Sequence, residues 1–230
     1  MRDRLSQLLP LIFLGLIAVS RWPGLLPPNF SAVYALLFCA GALFPPRRGL
    51  VAPLAVLVAT DIALNLYYQF AKGWPVWSGV SLVALAFNYA GYVALFFAGR
   101  GIRPWAERAR RAMGSLGGAS RWLVLTLGGF GSALLFYVIT NTASWLFNPF
   151  QNPEYTRNLA GWITALTLGT KNLPQTWEFF RNTFLSSGLF AGLFAGAWEM
   201  TSSESPADKG IATHEEEEHP PQPEPTEANA

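Results

Sequence analysis

Histidine is absent from residues 1 to 200, acids are few there, and the whole chain holds one cysteine. The only histidines, His214 and His219, lie near the C-terminal end. Cys39 sits in an apolar run, so an intrachain disulfide is excluded, and no Cys/His spacing suggests structural zinc. HExxH, GxSxG and P-loop motifs are missing as well. One acid inside the apolar runs, without histidine, is a poor basis for acid–base or metal catalysis, so no enzyme, metal or cofactor is expected. Without a nucleotide site the chain cannot power transport alone with ATP.

Charge is scarce too. Only 13% of residues are charged, against about 25% in an ordinary soluble domain, and 51% are hydrophobic. These proportions indicate a membrane protein. Residues 1 to 200 hold fifteen Lys and Arg against six acids, a net charge of +9, while eight of the fourteen acids lie beyond residue 200. The basic residues fall between apolar runs, a pattern that does not suggest nucleic-acid binding.

What remains is a series of apolar runs, and they predict an all-α membrane protein with a bundle of about six transmembrane helices. The expected spans are 5–21, 30–44, 50–66, 79–98, 122–147 and 183–198. The first run also has the outline of a cleavable signal peptide, but Arg21, Trp22 and Pro23 read as an interfacial anchor and turn, which favours a retained helix. Arg100 to Arg121 reads as a loop with six arginines against the single acid Glu107. Within the connector from Asn148 to Asn182, Leu159 to Leu168 is too short to span and is expected to be interfacial or re-entrant.

Counting Lys and Arg by loop orients the bundle. With the N-terminus inside, cytoplasmic segments hold eleven and outer segments five, Arg21, Lys72, Arg157, Lys171 and Arg181. Both termini are therefore expected in the cytoplasm. The stretch 201–230 is rich in Pro, Glu, Ser and Thr and nearly free of apolar side chains, so it is expected to be a disordered acidic tail, solvated or touching the arginine loop of its own chain.

Polar residues gather at one end of this topology. Arg21 closes the first run, Asn29 opens the second, Asp61 and Asn65 lie in the third, Thr140 and Asn141 near the end of the fifth, and Arg181 and Asn182 open the sixth, with Asn88 near mid-depth in the fourth. A bundle dry below and polar above predicts a cavity open to the outer face. Asp61 is its sharpest feature, because Asp at the centre of a membrane helix costs about 2.5 to 3.5 kcal/mol without a partner. Arg21 and Arg181 are its candidate cations, and Asn65, one turn on, shares its face. Gly188, Gly192 and Gly196 repeat every four residues in the sixth run, a helix-packing face for another helix of the bundle or for a partner.

Pro27-Pro28-Asn29-Phe30-Ser31, Thr60-Asp61, Thr140-Asn141 with Trp145, and Phe180-Arg181-Asn182-Thr183 together resemble an uncharacterised family of bacterial integral membrane proteins, over about residues 20 to 198. That family in turn is similar to the S components of energy-coupling factor transporters, six-helix subunits that capture a vitamin or metal ion from outside. The resemblance implies a substrate pocket near the outer face, a transmembrane coupling subunit and paired ATPases. One departure is that the first helix has Gly15 and Ala18 three apart, where S components commonly carry alanines four apart for docking.

The expected function is therefore capture of a small, vitamin-like solute in an outward-facing polar pocket, as the specificity subunit of a micronutrient transporter in contact with membrane lipids. Asp61 and Asn65 would touch the ligand, Asn88, Thr140 and Asn141 would line the pocket, and the aromatic connector would cover it. The alternative is a non-transporting scaffold or assembly factor that uses the glycine face of the sixth run as its interface.

Overall fold

The computed structural model describes residues 2–74, 76–171 and 173–202, with side chains from Leu8 onward. From residue 203 on, the expected acidic tail lies outside the described residues. Among the described residues there are seven α-helices and no strand: α1 (Arg2–Val19), α2 (Val33–Leu43), α3 (Pro46–Ala71), α4 (Gly79–Ala112), α5 (Gly117–Phe147), α6 (Leu159–Leu166) and α7 (Thr176–Ser202), with one 3-10 turn at Gly114–Leu116.

The bundle is built around α2. All eleven of its residues are buried, enclosed chiefly by α4, α5 and α7. Its sequence is apolar around the whole circumference, which suits a helix with no solvent face. Eleven residues rise only about 16 Å, roughly half a bilayer core. The expected span 30–44 is thus a shorter helix, entered through a turn in which the Phe30 amide bonds the Pro27 carbonyl at 2.9 Å and Asn29 takes a φ of 60°.

Backbone approach sets how tightly α4 can embrace α2. A Cβ on Gly41 would collide with the Phe96 carbonyl, and one on Gly99 with the Phe38 carbonyl. Two glycines therefore face each other's helix across one crossing, and neither position tolerates a side chain. The expected fourth span ended at residue 98, before an arginine-rich stretch read as a loop, yet α4 continues through Gly99, Gly101 and Pro104 to Ala112. Most of the arginine stretch is helix, projecting from the same rod. The rod turns back through Gly114, whose φ of 51° suits glycine, and the Ser120 hydroxyl clamps the turn by donating to the Ala109 and Gly117 carbonyls at 2.9 Å each.

On the other side of α5, Asn148 ends the helix in the left-handed region, and Asn158 caps α6 by accepting from the Gly161 amide at 2.9 Å. The final helix starts at Thr176, seven residues before the expected 183, so the last part of the connector is helical.

Three helical segments, Pro46–Ala71, Gly79–Ala112 and Gly114–Phe147, are long and apolar enough to cross a membrane. Large apolar side chains on their outer surfaces, Val51, Phe97 and Leu127 among them, are exposed. Such a surface is the character of a membrane protein.

At the end of the bundle near Phe44 and Trp198, whose rings meet edge-on at 5.3 Å, α4, α5 and α7 are joined by charge. Buried Arg121 bridges Glu199 at 3.0 Å and Glu107 at 3.2 Å. Glu107 and Arg121 fell in one arginine-rich stretch of the sequence, but nothing there linked them to Glu199.

Candidate functional site

The opposite end opens into a cavity of about 760 Å³, within the range of small-molecule sites. The end of α1 and the 23–31 turn form one wall, α4 and α5 another, and the first turns of α7 a third. Gly91 lets α5 come close: a Cβ there would lie 2.8 Å from the Phe136 ring. Phe136 consequently stacks on Tyr92 at 5.3 Å and tilts against Tyr34 at 4.8 Å, which gives the cavity an aromatic floor. Tyr137 and Phe180, 4.4 Å apart, close the α5–α7 side.

Five of the expected site residues line this cavity: Arg21, Asn29, Asn88, Thr140 and Asn141. Thr140 donates to the Phe136 carbonyl at 2.9 Å and keeps its oxygen lone pairs for an acceptor role. Asn141 is assigned with its amide nitrogen on the Tyr137 carbonyl at 2.8 Å, which leaves its own oxygen free. The Asn88 carboxamide has no hydrogen-bond partner among the described residues.

Asp61 stands behind the wall. Its Oδ1 holds Nη2 of Arg21, and its Oδ2 accepts the Tyr89 hydroxyl at 2.7 Å. The carboxylate is buried, so its charge is balanced inside the protein and it is not part of the cavity lining. Arg21 is the charged side chain on the wall, and its Nη1 is buried without a partner. Among the described residues no Asp, Glu, Lys or His lines the cavity.

The remaining expected residues lie elsewhere. Asn65 is half-buried on α3 and outside the lining. Exposed Arg181 lies over the Trp177 ring, 5.8 Å from its centroid, and Asn182 ties α7 to the turn by donating to the Pro28 carbonyl at 2.9 Å. The glycine face is filled from within the chain: Gly188 lies under the Phe130 ring, Gly192 beside Thr126, and Gly196 beside Trp122, whose indole donates to the Gly192 carbonyl at 2.8 Å. Of the aromatic connector, Phe179 and Phe180 reach the cavity. Trp162 instead pins α6 to α5 through the Thr142 hydroxyl at 3.0 Å. Also in the connector, burial and then the neighbouring Glu154 charge push the Tyr155 phenol up from its ordinary range.

Sequence reasoning missed Tyr34, Tyr68, Tyr92 and Phe136 as wall residues, and Tyr89 as the second partner of Asp61. In a chain with 14% aromatic residues, single rings carry no signal, but Gly91, three residues after mid-depth Asn88, is the kind of small residue that marks a close approach.

Residues 2–208 match the family described as Family of unknown function (DUF6580). The chain belongs to that family. No curated protein and no solved structure matches it.

Proposed function

We propose that this protein crosses a bacterial inner membrane six times, with both termini in the cytoplasm, and captures a small solute in the cavity bounded by Arg21, Asn29, Asn88, Thr140 and Asn141. The observation that carries the reading is the cavity itself: several polar groups converge on a space of about 760 Å³ against an aromatic floor, at the end opposite the arginine-rich turn. The positive-inside rule supports a mouth on the outer face. Three further crossings would be made by α1, by α2 with its preceding turn, and by α7. The protein acts as the specificity subunit of a micronutrient transporter, handing its solute to a transmembrane coupling subunit driven by ATPases, and performs no chemistry itself.

Charge narrows the ligand. A cationic solute would want an uncompensated carboxylate, and Asp61 is already held by Arg21 and Tyr89. A neutral or singly anionic solute with a flat ring fits better, its acceptor near Arg21 and its ring against Tyr92 and Phe136. The scaffold alternative loses support, since Trp122, Thr126 and Phe130 occupy the glycine face that a partner would need.

A thermal-shift screen of the detergent-purified protein tests this reading, using neutral, anionic and cationic heterocycles. A ligand at one hundred times its dissociation constant adds about 2.7 kcal/mol of stability. The expected hits are neutral or anionic and are lost in Asn141→Leu. Stabilisation by cations alone, or hits unchanged in Asn141→Leu and Asn88→Leu, would overturn the assignment.

A further inference from the structure

The arginine-rich end is short of counter-charge. Among the described residues, Arg47 and Arg48 at the start of α3, and Arg100, Arg103, Arg108, Arg110 and Arg111 on α4, form no ion pair. The nearby acids Glu107 and Glu199 are both engaged by Arg121. Arg103, Arg108 and Arg111 are exposed, and Nη1 of Arg100 is buried without a partner. The platform is rigid, because the Ser120 hydroxyl and the close contact of Gly117 with the Arg110 carbonyl lock the turn.

The described part of α7 ends at Ser202, three residues after Glu199, so the chain leaves the bundle beside this platform. Residues 203–230 then carry eight acids against the single Lys209, a net charge of −7 facing seven unpaired arginines. Glu215 to Glu218 begin thirteen residues beyond Ser202, a reach of up to about 45 Å. Arg100 to Arg111 extends only about 17 Å along α4. Attachment to the same chain gives the acids an effective concentration that no free peptide of similar charge would match.

We infer that residues 203–230 dock on the arginine platform of their own chain, with Glu215 to Glu218 against Arg103, Arg108 and Arg111. The docked segment neutralises the platform, so an acidic partner or an anionic lipid headgroup reaching this end must first displace it. The inference is independent of what the cavity binds.

Pulsed electron paramagnetic resonance on the full chain tests it, with nitroxides on Met113→Cys and Thr213→Cys and the buried native Cys39 left in place. In nanodiscs containing phosphatidylglycerol at about 0.15 M salt, a short and narrow distance distribution is expected, broadening at about 1 M salt, where the Debye length falls to about 3 Å. The triple variant Arg103→Glu, Arg108→Glu, Arg111→Glu should give the broad distribution at both salts, and these exposed positions leave the fold unchanged. One broad distribution under all conditions would overturn the inference. A short distance in zwitterionic discs that is lost in phosphatidylglycerol would overturn it too, assigning the arginines to lipid.

Discussion

Arg21 and Asp61, forty residues apart in the chain, form a shielded ion pair that joins the end of α1 to the middle of α3, with the Tyr89 hydroxyl adding α4 to the same carboxylate. An unpaired Asp at this depth would be expensive, and Arg21 removes that cost while its residue also borders the cavity.

Removing one member of this pair strands the other. Arg21→Met and Asp61→Leu should each destabilise the protein by about 3 to 5 kcal/mol, the usual loss when half of a buried pair is deleted. Arg21→Met combined with Asp61→Leu should recover most of that loss. Thermal unfolding of the three variants in detergent checks the cycle, and additive losses would show that the two side chains do not act as a pair.

Tyr89→Phe removes only the second bond to the carboxylate. A hydrogen bond to a charged group is worth about 1.5 to 3 kcal/mol, so this variant should lie between wild type and Asp61→Leu in the same assay.

Much of this arrangement was legible. Asp61 stood out because a charge in an apolar run has few bland explanations, and depth alone nominated Arg21 among its partners. Tyr89 was hidden because one tyrosine among many aromatics announces nothing. The stretch from Arg100 to Arg121 read as a loop because its arginines end an apolar run, but charge on a helix that outruns its apolar segment does not end the helix, and α4 runs on to Ala112. Asn65 and Arg181 were nominated from helix register and depth, which fix the end of the bundle but not the direction a side chain takes.

The glycine crossing makes a sharp forecast. Gly41→Ala and Gly99→Ala each place a methyl group on a backbone carbonyl, so helices must part, and overpacking of this kind costs about 1 to 3 kcal/mol or more. Gly15→Ala and Gly101→Ala meet nothing within 4 Å and should gain about 0.5 to 1 kcal/mol of helix stability. Monodisperse yield in size-exclusion chromatography, with unfolding temperature, separates the two pairs.

At the other end, the two carboxylates on Arg121 are unequal. The Glu199 side chain is 11% exposed and that of Glu107 is 35% exposed, so water screens the second far more. Glu199→Gln should lower the unfolding temperature clearly, and Glu107→Gln little. Equal losses would contradict a clamp centred on α5 and α7.

Whether the cavity holds a solute decides the proposed function. Mass spectrometry of small molecules released by denaturing the gently purified protein is the direct measurement, comparing wild type with Asn141→Leu and Asn88→Leu. A neutral or singly anionic ring compound is expected, near one per protein in wild type and depleted in both variants. A cation, or a compound retained equally by all three proteins, would contradict it.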